Sequence, residues 1–294
     1  MDNNDGLWVT TLDQGIYYYP NLEIKVYNEK QGLPSSKNIS LISLDSQFLI
    51  TGYETNDICI LGITPQDSLR IKEHFVMQFQ PGTFFFHEPD SIIYSKQTRI
   101  HVGSFREEFP DIPLTQRATT SSQPGYGILR MHAYREDTAL VSCYYGPAYF
   151  DLVQRKIVVS SLPTGANNQL LINRVNDYLI TPKGIHFTAT NEGLFRVDAR
   201  RNLIKDNLKN KALNSRIEAM EVLPDSSILF ATRGRGLIRY QAGVFTTINE
   251  SAGLASNMIR HLHLAADHSV WVSTFNGVSQ VTFHDLKSGG KHSL

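Results

Sequence analysis

Two histidines two positions apart, His261 and His263, form the first pair in this 294-residue chain whose types and spacing invite chemistry. On a strand, positions two apart share a face, so the pair could offer two imidazole nitrogens to a metal if a third ligand joined them. The segment around Trp271 supplies no acidic partner, and strand histidines commonly hydrogen-bond within a sheet, so no metal site is expected. Asn191-Glu192 lacks the paired histidine that hydrolysis or elimination would need. No catalytic residue is assigned, and the chain is expected not to be an enzyme. The string Gly234-Arg235-Gly236 is too short to cradle a phosphate and opens no helix, so no cofactor is expected.

Binding chemistry is better supplied. Arg216, Arg233 and Arg235 could gather around an acidic sugar or another carboxylate. Tyr53, Tyr144, Tyr145 and Phe275, beside Asn191, Glu192 and Asn276, suit the stacking and hydrogen bonding that sugars invite. The competing readings are solvated arginines on turns and aromatics partly buried in the core.

These residues share a face only if a repeated element places them there. The clearest copies of such an element are Gly6–Tyr19, Gly184–Asp198, Ser227–Tyr240 and Ser269–Val281. Each runs from an apolar pair through small, Thr-rich positions and polar loop residues to an apolar-alternating run, with a Gly at the turn. Phe48–Leu61, Ser91–Val102 and Ala139–Asp151 follow the same order more weakly. The anchor positions are Trp8, Leu49, Ile93, Leu140, His186, Leu229 and Trp271, spaced by 41, 44, 47, 46, 43 and 42 residues. A period of this size, with short strands and few helical segments, is the mark of radially arranged blades. The expectation is an all-β, seven-bladed β-propeller forming one domain over residues 1–284, with a tail over 285–294.

Nothing before Gly6 can form an innermost strand, so the first blade is expected to lack one, and closure by one terminus completing the other's blade is doubtful. The helix-leaning stretch Asn202–Met220 is read as strand, loop and strand. The first turns carry residues such as Asp, Pro or Gly, as at Asp225-Ser226 and Asp267-His268. The second turns of the four clear copies carry Gly15, Gly193, Gly236 and Gly277, with the Gly missing or replaced across Phe48–Asp151. Strand alternation sends these two kinds of turn to opposite faces, and the candidate binding residues fall on the second-turn face. Trp8 and Trp271 are expected to wedge between sheets.

Lys plus Arg and Asp plus Glu each number 28. That balance gives no basic stripe for nucleic acid. No run approaches the roughly 18 apolar residues of a membrane span, and the first residues do not read as a signal segment. Cys59 and Cys143 lack zinc-site spacing and are read as buried thiols.

The segment Gly253–Val281 resembles the two-component regulator propeller repeat. Gly253, Leu254, Ser256, Asn257, Asp267, Trp271, Val272, Thr274 and Gly277 follow that family's order, and Gly32, Leu33, Pro34, Ser35 and Asn38 echo its opening. The resemblance implies a periplasmic sensor region of a histidine kinase or hybrid regulator, of which this chain would be a fragment. It would receive a small molecule or oligosaccharide and pass a change in packing, or in homodimer geometry, to other domains of the parent sensor. An interaction scaffold and a propeller hydrolase or lyase are the alternatives.

Overall fold

A computed structural model describes residues 7–11, 15–19, 22–35, 37–43, 48–63, 69–76, 84–88, 91–96, 99–104, 119–121, 128–143, 146–154, 156–158, 175–198 and 203–283. Short strands joined by tight turns account for nearly all regular structure in them. The strands are β1 (Leu7–Thr11), β2 (Gly15–Tyr19), β3 (Leu22–Tyr27), β4 (Asn38–Ser43), β5 (Phe48–Tyr53), β6 (Asp57–Ile63), β7 (Leu69–Val76), β8 (Phe84–Glu88) and β9 (Ser91–Lys96). They continue with β10 (Arg99–Ser104), β11 (Thr119–Ser121), β12 (Ile128–Arg135), β13 (Thr138–Cys143), β14 (Gly146–Asp151), β15 (Lys156–Val158), β16 (Val175–Ile180), β17 (His186–Thr190) and β18 (Gly193–Val197). The last are β19 (Leu203–Lys205), β20 (Ile217–Val222), β21 (Ile228–Thr232), β22 (Leu237–Gln241), β23 (Val244–Ile248), β24 (Ile259–Leu264), β25 (Val270–Thr274) and β26 (Gly277–Phe283).

Every strand pairing is antiparallel, as hairpin-length turns require. Five consecutive quartets, beginning at β4, β8, β12, β16 and β20, each form a four-stranded sheet. Their first strands are neighbours in the order β4, β8, β12, β16, β20 and β24, and β24 lies against β4 again, so the sheets stand around one axis. This is an all-β propeller. The helix-leaning stretch is strand, loop and strand, as expected, because β19 and β20 flank a short 3-10 turn at Lys211–Asn214.

The seven-blade count does not carry over. Among the described residues six sheets have four strands, and the sheet that carries Trp8 is only the two-stranded hairpin β1–β2. The sheet β24–β25–β26 takes its outermost strand from β3, with Phe283 opposite Leu22 and Val278 opposite Tyr27. The expectation that one terminus does not complete the other's blade is therefore corrected. The physical reason lies in the pattern of β3. Ile24 packs against the core built from Leu254, Val270 and Val281, while Tyr27 and Trp271 stack with ring centres 5.9 Å apart.

Side chains between sheets supply the packing. Trp271 is fully buried among Leu41, Leu49, Leu61 and Ala265, wedged between its own sheet and that of β4–β7 as the repeat implied. Fully burying such a ring removes on the order of 200 Å² from water, making it the largest local contribution to this seam. Cys59 is free and buried, and burial pushes its thiol up to about 12.

Candidate functional site

The turns between second and third strands build one mouth of the axis. In three sheets a buried threonine closes the turn: the hydroxyls of Thr190, Thr232 and Thr274 donate to the carbonyls of Gly193, Gly236 and Gly277 at 2.9, 2.7 and 2.8 Å. At the first exposed position of this turn, the backbone N–H of Glu54, Arg233 or Phe275 donates to the carbonyl of Lys37, Arg216 or Met258, just before the innermost strand. Glu54, Arg233 and Phe275 therefore occupy one seat in three sheets.

A second device brings charges to the same mouth. Five innermost strands, β4, β12, β16, β20 and β24, carry a register shift near their first residue, bulging Ile39, Leu129, Asn176, Glu218 and Arg260 respectively. A bulge bends its strand and re-aims a side chain that regular pleating would bury or expose. Here it presents Glu218 and Arg260 to the turns.

The resulting cluster is compact. Arg216 grips Glu218 through Nε at 2.8 Å and Nη2 at 3.2 Å, and Arg233 lies 3.6 Å from the same carboxylate. Arg260 pairs with Glu54, and its guanidinium stands 4.0 Å from the Phe275 ring centre, with that of Arg233 at 5.1 Å. Arg130 reaches over the axis from β12 to donate to the Arg260 carbonyl. Among the described residues, four guanidiniums and two carboxylates thus gather at this mouth. Arg216, Arg233 and Arg260 keep 27%, 31% and 28% of their side chains exposed, so these guanidiniums reach solvent. Burial pulls the Arg260 pKa down, and neighbouring Arg233 adds to that pull, as expected where cations crowd.

Below the mouth lies a second polar layer on the innermost strands. His132 meets fully buried Asp177 at 2.7 Å, and the Asp177 carboxylate also accepts the backbone N–H groups of Tyr178 and Met220, each at 2.7 Å. Burial opposes charge on His132, but Asp177 outweighs it and raises the imidazole to about 9. Burial raises Glu221 to about 7, with His132 pulling the other way. His261 lies well below the usual range through burial and the nearby Arg130, and burial takes His263 down to about 4. Among the described residues no three His, Cys, Asp or Glu side chains form a group that could hold a metal.

The structure divides the sequence-derived set. It brings together Arg216, Arg233 and Phe275. Arg235 is exposed on its turn, where its backbone N–H bonds the Thr232 hydroxyl. Asn191 accepts from Asn176 at 3.2 Å, Glu192 is exposed beside it, and Asn276 is exposed and donates to the Ala255 carbonyl. Tyr144 and Tyr145 lie outside the described residues.

Tyr53 is a correction: it is wholly buried, and burial raises its phenol pKa far above the ordinary value. The alignment that equated it with Phe275 is off by one residue. Tyr53 sits opposite Asn38 as Thr274 sits opposite Ile259, and a one-residue slip sends a side chain to the other face. Glu54, Arg130, Glu218 and Arg260 were missed. Glu54 carried no such signal, whereas for Glu218 and Arg260 it was present as broken alternation, at Ala219-Met220 and Arg260-His261, beside the bulges.

No family model matches the chain, and no curated protein matches it. Solved structures do. The extracellular domain of a hybrid two-component system from Bacteroides thetaiotaomicron aligns with TM-score 0.62 and 14% identity over 90% of this chain and 42% of its own. That of a one-component system from the same organism gives 0.57 and 16%, over 95% and 37%. A streptogramin B lyase gives 0.57 and 12%, over 89% and 98%. The chain thus spans less than half the length of the two Bacteroides domains. No helix among the described residues is long and apolar enough to cross a membrane. At these identities the likeness is one of fold, and it agrees with the resemblance carried by the repeat: the chain shares the propeller fold of the extracellular domains of Bacteroides two-component regulators.

Proposed function

We propose that this propeller is a non-catalytic receiving module of an extracytoplasmic sensor, and that it binds an acidic sugar or similar carboxylate at the arginine-lined mouth. One observation carries the reading: the Phe275 ring between the part-exposed guanidiniums of Arg233 and Arg260, with Arg216 beside them on the Glu218 carboxylate. A carboxylate would accept from Arg233 and Arg216, while the edge of a ring would rest on Phe275. Because Glu218 and Glu54 already hold these arginines, an incoming carboxylate would compete with them. It would thereby reset ion pairs between neighbouring sheets, which is a differential contact that can shift a population. The seven anchors then describe the repeat of a longer parent, in which β1–β2 supplies the second and third strands of a further unit.

Thermal unfolding in the presence of glucuronate, galacturonate and their neutral glycosides tests this. A ligand bound only by the native state raises Tm, and at a hundredfold excess over Kd it adds about 2.7 kcal/mol. The expected result is stabilisation by the uronates that Arg233→Ala abolishes. Equal shifts from neutral sugars, or none from any uronate, would remove the mouth as an acid-binding site. A lyase reading has one support, the streptogramin B lyase fold, and one obstacle: the described second turns and connectors at the mouth contain no histidine.

A further inference from the structure

A cleft of about 270 Å³ opens at the far end of the sheet β12–β15, lined by Tyr134, Arg135, Thr138, Tyr149 and Asp151. It belongs to the face of the first turns. Arg130 and Tyr134 are four residues apart on β12, so about 13 Å separates this cleft from the mouth cluster. No residue of the mouth contributes to it.

Its construction follows from register. Arg135 lies opposite Thr138, and Thr138 lies opposite Asp151, so a guanidinium, a hydroxyl and a carboxylate are carried in one row across three adjacent strands. A register shift between Ala133 and Arg135 bulges Tyr134 out of the pleat. Its ring then stacks on Tyr149, with centroids 5.7 Å apart and planes at 26°, and the Arg135 guanidinium lies 5.0 Å from the Tyr134 ring centre. Both tyrosines pack on Leu140, Val175 and Tyr178, so the inter-sheet core forms the floor. Burial raises the Tyr149 phenol, and the neighbouring Tyr134 adds to the rise.

The row has unused hydrogen-bonding capacity. Among the described residues Arg135 makes no ion pair, although its guanidinium carries five donors. Asp151 takes one backbone N–H, from Gln154 at 2.6 Å, of the roughly four that a carboxylate can accept. Thr138 donates to Asp137 at 2.8 Å and keeps its lone pairs. One positive and one negative side chain cancel, so the cleft does not select for charge. It offers aromatic surface, donors at one end and acceptors at the other.

We infer that this cleft is a second ligand site, separate from the mouth, which takes a neutral ring bearing vicinal hydroxyls, such as a single pyranose. Each hydroxyl both accepts and donates. One accepts from Arg135 while its neighbour donates to Asp151, and the C–H face of the ring covers the tyrosines. Charge separates the two sites: the mouth selects an anion and the cleft a neutral polyol.

Saturation-transfer NMR with methyl β-D-glucopyranoside, methyl β-D-galactopyranoside and myo-inositol tests the assignment, using the whole chain at ligand concentrations up to about 10 mM, the range of single-ring affinities. The expected result is saturation of ring protons by at least one probe. Asp151→Asn, which preserves side-chain shape, and Arg135→Gln, at an exposed position, should each weaken binding about tenfold by removing a charge-assisted bond. Arg233→Ala should leave it unchanged, so that failure of the mouth reading does not touch this one. Saturation that persists undiminished in both cleft variants, or disappears in Arg233→Ala, overturns the proposal, as does its absence with all three probes. Circular dichroism of each variant identifies loss of fold, and Tyr149→Leu, which removes the ring that the ligand would cover, then tests the site again, with weaker binding expected and unchanged binding counting against it.

Discussion

Two outermost strands, β23 and β3, occupy the same seat in successive sheets and reach it by different routes. β23 follows its neighbour β22 through the two residues Ala242 and Gly243. β3 reaches β26 from the opposite end of the chain. Beyond either strand the geometry is the same. Asn249 and Asn28 each cap a short 3-10 turn, which ends in a left-handed glycine, Gly253 or Gly32. The strand-end carbonyls of Ile248 and Tyr27 press against Gly236 and Gly277 respectively, where an added Cβ would lie 2.4 Å away. Equal seats with unequal connections show that side-chain and backbone fit, independent of connectivity, selects the fourth strand. The connection decides only how readily that strand leaves.

Four measurements can break or sharpen this comparison. The largest effect is expected at the β3 seam, where Trp271→Ala removes the ring that stacks on Tyr27 and should cost about 3–5 kcal/mol in denaturant unfolding. A loss under about 1 kcal/mol would mean that the seam does not depend on it.

Next is the pH dependence of the axis. The folded-state pKa of His132 is raised from 6.5 to about 9, so its contribution is complete below pH 6.5 and is lost as pH rises through 9. Glu221, raised from 4.5 to about 7, acts in the same direction but at lower pH: its contribution is complete below pH 4.5 and is lost as pH rises through 7, so the fall above that is carried by His132. Stability should therefore decline by about 1–3 kcal/mol between pH 6.5 and 9. The paired change His132→Gln with Asp177→Asn should flatten that decline, and an unchanged slope would dissociate it from this pair.

The glycines compare the two seats directly. Gly236 and Gly277 have φ of 77° and 115°, so alanine at either site is strained as well as crowded. Gly236→Ala should destabilise the whole domain by about 1–3 kcal/mol. Gly277→Ala has an escape that Gly236→Ala lacks, since β3 can peel from β26. Its expected signature is fast amide exchange at Ile24, Val26 and Tyr27 with a smaller loss of global stability. Equal exchange in β3 and β23 would remove the distinction.

The smallest effect is expected at the first turns. Asp225 and Asp267 each accept from the serine two residues on, with Ser227 and Ser269 donating through backbone N–H and hydroxyl. Asp225 additionally binds Arg239 at 2.5 Å and Gln241 at 2.7 Å. Asp225→Ala should cost about 1 kcal/mol and Asp267→Ala somewhat less, measured by urea unfolding.

The repeat was legible because turn chemistry and strand alternation are local properties, readable wherever Asp, Thr and Gly recur as at Asp267, Thr274 and Gly277. Closure was not, because the pairing of Val281 with Ile24 joins residues that no local pattern links. The site was legible only in part for a related reason. Arg216, Arg233 and Phe275 are turn residues whose face follows from the repeat, whereas Glu218 and Arg260 owe their direction to bulges, which appear in sequence only as a break in alternation. Tyr53 shows the sensitivity of such readings, since a one-residue error in register exchanged a core residue for a surface one.

The antiparallel pairing of β3 and β26 has a mechanical consequence. The chain enters β3 at Leu22 and leaves β26 at Phe283, and these two residues lie opposite each other. Tension applied to the chain on those two sides meets the ladder at one end and opens its rungs in sequence, Phe283 and Leu22 first, Val278 and Tyr27 last. A ladder loaded in shear would resist with all its bonds together, whereas this one yields as a zipper does. Force arriving at the ring would therefore release its closing strand before any other.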